Sequence, residues 1–159
     1  MKRLVTATLA LAVALAPAAV PAALPAPAAP TLSSQQANEL ITSYAHLTSE
    51  YYKKVDKQAV FDGVRNNILA YLRANGVVNA TLPAIRATDD DVSNARELEH
   101  AVSGAIATYA VKAGGKSGSK SGATNITYAA ISGALGAVKD KYTVFLSPNA
   151  PEICPGAPG

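Results

Sequence analysis

The chain has no tryptophan, two phenylalanines, one methionine and one cysteine in 159 residues. With so few large side chains, its core must come from Leu, Ile, Val, Tyr and Ala. Such a core contributes little apolar volume per residue and is marginal at this size. A lone cysteine, Cys154, excludes an internal disulfide and leaves an intermolecular bridge or an incidental thiol. Charge is also scarce: charged residues are 16% of the chain and the formal net charge is +3. Setting aside Lys2 and Arg3 takes the 14 basic residues to twelve, against 11 acidic ones. That balance makes no electrostatic case for nucleic acid. A membrane-spanning stretch is lacking too. The apolar run Leu4 to Ala16 is shorter than the roughly 20 residues a spanning helix needs.

What is present begins with a leader. Residues 1–30 open with Lys2 and Arg3, continue apolar, and end in alanine and proline. This pattern predicts a secretory signal peptide and hence a periplasmic or extracellular protein with no stable membrane span once the signal is removed. Cleavage fits Ala16-Pro17-Ala18 or Ala26-Pro27-Ala28. No cysteine lies near either, which argues against a lipoprotein anchor.

Residues 31–148 then read as one helical domain, an all-α bundle of about four helices. A first helix, roughly 33–54, opens at Ser33 or Ser34 as N-cap and carries Leu40, Tyr44, Leu47 and Tyr51 on one stripe. It should end near Lys53-Lys54, whose charges suit a helix C-terminus. A second, 57–75, is capped by Asp56, carries Val60, Val64, Ile68 and Leu72 at intervals of four, and stops at Asn75-Gly76. The short link predicts an antiparallel hairpin of these two. Residues 77–87 form a connector broken by Pro83, with Leu82 and Ile85 docking on the hairpin. A third helix, 88–113, starts with Thr88 as cap, has Val92, Ala95, Leu98, Val102, Ile106 and Tyr109 on its stripe, and stops at Gly114-Gly115. Residues 114–122 are rich in Gly, Ser and Lys and predict a mobile linker. A fourth helix, 125–139, should bury Tyr128, Ile131 and Leu135. Tyr142, Val144 and Leu146 alternate with Thr143, Phe145 and Ser147 in a short strand-like segment, 142–146, that Pro148 ends. Residues 149–159 lack periodicity and read as a disordered tail.

Several chemical motifs fail on inspection. Ser117-Gly118-Ser119-Lys120 matches the Ser-x-x-Lys of some acyl-transfer enzymes, but glycines surround it and the partner motifs are missing. Glu97 and His100 form one Glu-x-x-His pair, where a helical-bundle metal site needs two pairs and further carboxylates. The other histidine, His46, has Ser43 at i−3. Asp89-Asp90-Asp91 lacks the glycine and distal glutamate of a calcium loop, and helix capping accounts for it. Tyr52-Lys53-Lys54 is the nearest approach to a basic-aromatic nucleic-acid surface and is too small for one. Tyr44, Tyr51 and Tyr109 fall on apolar stripes as core residues with hydroxyls at the rim. No catalytic, cofactor-binding or metal-binding residue is assigned.

Two patches resemble the C-terminal processing peptidases, also called tail-specific or carboxyl-terminal proteases. Leu135-Gly136, Asp140, Tyr142-Thr143, Phe145-Leu146, Ser147 and Pro148 look like the junction that ends that family's N-terminal helical region. It commonly reads Leu-Asp-Pro-Tyr/His-Ser/Thr-x-Phe/Tyr-Leu-x-Pro, so Lys141 departs from it. Upstream, Tyr51-Tyr52, Val55-Asp56 and Phe61-Asp62-Gly63-Val64 resemble the family's Tyr-Val-Asp…Leu-x-x-Gly-Ala segment. The resemblance covers residues 33–148 only. It implies a helical module that leads into a PDZ domain, which captures a substrate C-terminus, and a serine peptidase core with a lysine base. Neither has a counterpart here, so no catalytic residue carries over. The expectation is an exported, truncated helical scaffold, inactive alone, whose partners are the PDZ and protease portions of an intact relative or another subunit. The alternative is a small periplasmic helical binding or adaptor protein, with the apolar segment 142–146 as its interaction element.

Overall fold

A computed structural model describes residues 29–138. The strand-like segment 142–146, the leader and Cys154 lie outside these residues. Helix α1, Ser34–Ala45, starts in a reciprocal cap: the Ser33 hydroxyl accepts from the Gln36 backbone N–H, and the Ser33 N–H donates to Gln36 Oε1. The chain then widens into one π-helical turn, His46–Glu50. The Thr48 and Ser49 hydroxyls donate back to the carbonyls of Tyr44 and Ala45, competing with the regular helical ladder there. Tyr51 leaves in extended conformation, so the first helix ends before Lys53-Lys54, the expected stop.

Helix α2, Lys57–Ala74, is capped by Asp56 and closed at Gly76, whose φ of 83° is the left-handed value that favours glycine. Helix α3, Asp91–Ala113, begins three residues later than expected. Asp90, not Thr88, is the cap: its carboxylate accepts from the Val92 and Ser93 N–H groups. Thr88 is occupied otherwise, because its N–H and hydroxyl both donate to Asn94 Oδ1.

Helix α4, Gly118–Gly136, follows a single 3-10 turn at Gly115–Ser117. It starts seven residues before the predicted start at 125, inside the stretch read as a linker. Glycine is a poor helix former by about 1 kcal/mol, but packing reverses the preference here. A Cβ at Gly122 would lie 2.8 Å from the Ala110 carbonyl carbon and 2.9 Å from the Gly114 nitrogen. Only a bare backbone lets the start of α4 sit that close to the end of α3.

The four helices confirm an all-α bundle, and no strand occurs among the described residues. α4 packs against α1, α2 and α3, and buries residues along its length from Gly122 to Ala134. The expected hairpin of the first two helices does not form. α1 packs on α3 and α4, and it meets α2 through an edge-on contact of Tyr44 with Phe61, ring centroids 6.2 Å apart. Leu40, Tyr44, Val60, Val64, Ile68, Leu72, Leu98, Val102, Ile106 and Ile131 are buried in one core, as their spacing predicts. Val92 is not: it is 59% exposed. Leu82 and Ile85 dock against the core. Polar bonds fasten their connector: Arg65 Nε donates to the Leu82 carbonyl, and the Gln58 side chain bridges the Ile85 carbonyl and the Ala87 N–H.

Candidate functional site

Two places bring chemically distinctive residues together. The first is the junction of α1, α2 and α3. Tyr44 donates its hydroxyl to Asp91 Oδ1 at 3.0 Å, and Lys57 Nζ stands 2.8 Å from the same oxygen. Lys57 also donates to the Asp89 carbonyl at 3.1 Å. Burial pushes the Tyr44 hydroxyl up to about 12. The hydrogen bond from Lys57 holds the Asp91 carboxyl below the usual carboxylate range. One turn further along α3, the buried Asn94 receives the N–H and hydroxyl of Thr88 and returns its Nδ2–H to the Thr88 carbonyl. No buried side-chain polar atom in this cluster lacks a hydrogen-bond partner, so the cluster ties three elements together.

Beside it runs an open groove of about 460 Å³ between the second half of α1 and the first turns of α3. Ile41, Tyr44, Ala45, Val92 and Ala95 are its apolar residues, and Arg96 and Glu99 are among its polar ones. A second, polar depression of about 700 Å³ lies over the α2 start, lined by Lys54, Asp56, Lys57 and Asp89 among others.

The second place is the α2–α4 crossing. Gly63 and Gly133 face each other with no side chain between them. A Cβ at Gly133 would stand 2.8 Å from both Asn67 Cβ and the Gly63 carbonyl carbon. One at Gly63 would come 3.3 Å from Ala137 Cβ. Asn67 Nδ2 donates to the Ala129 carbonyl and fixes the same crossing.

The motifs weighed in the sequence are dispersed. Ser117 sits just ahead of α4 and Lys120 in its first turn, both exposed, and no hydrogen bond joins their side chains. Glu97 and His100 are exposed on α3, and His46 pairs with Glu50 in the π turn. The three aspartates diverge: Asp90 caps α3, Asp91 holds Tyr44 and Lys57, and Asp89 contributes a backbone carbonyl. Among the described residues, no group of three or more His, Cys, Asp or Glu side chains could hold a metal ion. No helix among them is long and apolar enough to cross a membrane. Tyr109 does place its hydroxyl at the rim, bridging the N–H and carbonyl of Thr81.

Sequence reasoning missed Lys57, Asn94 and Gly133. Asn94 had a signal, since it stands four residues before Leu98 on the buried stripe of α3, where a polar residue needs internal partners. Nothing in the sequence pointed to Lys57 or to Gly133. The chain matches no family model, no curated protein and no solved structure.

Proposed function

We propose that residues 33–148 are the leading helical scaffold of an exported C-terminal processing peptidase, a non-catalytic module that in intact relatives leads into PDZ and serine peptidase portions. One juxtaposition carries the reading. The two patches that resemble this family are separated by some seventy residues in sequence, yet Gly63 of the first lies against the α4 residues on either side of Leu135-Gly136 of the second. Gly63, inside Phe61-Asp62-Gly63-Val64, lies against Gly133 and Ala137, which flank Leu135-Gly136 at the end of α4. Residues that must allow two backbones to meet are constrained as a pair, which ties Gly63 of the first patch to the turn of α4 just ahead of the second.

The test is a fusion. The chain is placed ahead of the PDZ and catalytic portions of a tail-specific peptidase, replacing that enzyme's own helical region. Hydrolysis of a peptide with an apolar C-terminus is expected to be restored. A fusion that melts cooperatively but stays inactive sinks the proposal. The chain alone is expected to be inert, and turnover abolished by Ser117→Ala would also overturn the reading. The alternative, an adaptor without chemistry, draws support from the groove between α1 and α3. It gains if the fusion is inactive and Ala45→Arg, which would fill that groove, abolishes binding of a partner.

A further inference from the structure

We propose that Asn79 is an acceptor for N-linked glycan transfer and that the chain's other matching asparagine, Asn125, is not. The inference rests on the reading that the chain is exported, since such transfer occurs on exported chains. Asn79-Ala80-Thr81 and Asn125-Ile126-Thr127 both have the acceptor pattern Asn-x-Ser/Thr with no proline at the middle position. In the transfer, Asn Nδ2 bonds to the anomeric carbon of a lipid-pyrophosphate-linked oligosaccharide. The bond from that carbon to the pyrophosphate oxygen breaks, lipid pyrophosphate leaves, and the amide proton passes to the transferase. The enzyme must therefore reach both the asparagine amide and the hydroxyl two residues on, along non-helical backbone.

The middle residues Ala80 and Ile126 are both buried, but the fold treats the asparagine and the threonine of the two sequences oppositely. Asn79 is exposed in the turn that follows the Gly76 stop of α2, and its amide makes no hydrogen bond among the described residues. Thr81 is also exposed. Its backbone N–H and carbonyl are held by Tyr109 Oη at 3.1 and 3.0 Å, while its own hydroxyl has no protein partner among the described residues. Asn125 instead lies within α4. Ile126 and Thr127 are each 0% exposed, and the Thr127 hydroxyl donates to the Ala123 carbonyl at 3.0 Å. A transferase would have to unfold α4 to use it.

Position favours the assignment as well. Asn79 lies beyond the C-terminal end of α2, and the Gly63–Gly133 crossing lies toward the other end. From Gly63 to Ala74 the helix alone runs about 16 Å. A glycan there would clear the crossing, and it would cover Val78, which is 68% exposed in the same turn.

The experiment treats the purified, folded full chain with a single-subunit oligosaccharyltransferase and a lipid-pyrophosphate oligosaccharide, and reads intact mass. One glycan mass is expected. It should be lost in Asn79→Gln and in Thr81→Ala, and kept in Asn125→Gln. An unmodified folded chain, or a glycan that survives Asn79→Gln, overturns the assignment. Circular dichroism of each variant shows that loss of the glycan is not loss of fold. Export is read separately, by cell fractionation and N-terminal sequencing, so its failure cannot be mistaken for failure of the acceptor chemistry.

Discussion

Tyr44 joins three elements through one side chain. Its ring meets Phe61, its hydroxyl meets Asp91, and it is almost wholly buried. Burial raises the cost of its phenolate, which moves its titration from the ordinary tyrosine value of 10.0 to about 12. The consequence for stability has a definite sign. At pH 9 the proton is bound in both folded and unfolded chains. Between pH 10 and 12 the unfolded chain loses it first, the folded chain binds more protons, and stability falls as pH rises. A gap of two pK values corresponds to about 2–3 kcal/mol across that window. Urea unfolding at intervals from pH 9 to 12 should show the decline, and Tyr44→Phe should remove this part of it. If wild type and variant decline in parallel, the hydroxyl is not desolvated as described. Asp91 behaves in the opposite sense. Its lowered titration gives stability above the ordinary carboxylate range that is lost as pH falls, by a modest amount because its side chain is half exposed.

Among the helices, the same substitution should have opposite effects according to what each glycine faces. At Gly104 of α3 a Cβ would meet nothing within 4 Å, so alanine should stabilise the chain by about 0.5–1 kcal/mol through helix propensity. At Gly133 of α4 the Cβ would collide with the backbone of α2 at Gly63, which cannot rotate away as a side chain can. Gly133→Ala should therefore destabilise by about 1–3 kcal/mol, the usual cost of overpacking. Chemical denaturation of the two variants settles it, and two shifts of the same sign would be incompatible with the crossing. This contrast also marks what could be read from sequence. The stripes of α2 and α3, the Asp56 cap and the Gly76 stop were legible because each is a local pattern of three to five residues. Helix α4 was legible only in its second half. Its start at Gly118 depends on Gly122 fitting against Ala110, a contact between elements that leaves no periodic trace. The hairpin of the first two helices failed for a related reason. A short link constrains chain distance but not packing partner, and the π turn at His46–Glu50 alters the exit from α1. The Tyr44–Asp91–Lys57 junction was visible only in part, because Tyr44 lay on a stripe while Lys57 looked like any surface lysine.

Over the whole molecule, the helix with the least promising composition is the one that the others share. α4 contains four glycines, yet it touches α1, α2 and α3 and buries Gly122, Ala123, Ile126, Thr127, Ala130, Ile131, Gly133 and Ala134. Cross-helix hydrogen bonds reach it from two sides, from Gln36 on α1 to Thr124 and from Asn67 on α2 to the Ala129 carbonyl. Its poor intrinsic propensity means that α4 forms only when the others are in place, and their apolar stripes lose a common partner when it is absent. Opening α4 should therefore cost the full unfolding free energy. Native-state hydrogen exchange measures this directly. Amides of Ile126 to Ala134 should exchange only through global unfolding, with a denaturant dependence equal to that of the whole chain. Amides in the His46–Glu50 turn should exchange through smaller openings, because that turn is closed by side-chain bonds to the last carbonyls of α1. The decisive amides are those from Gly122 to Thr124, which composition alone would assign to a linker. If they exchange with the rest of α4, packing against Ala110 has overridden propensity, and the bundle is organised around its most glycine-rich helix. If they exchange as fast as the π turn, α4 is anchored only in its second half, and the close approach at Gly122 contributes nothing to holding the fold together.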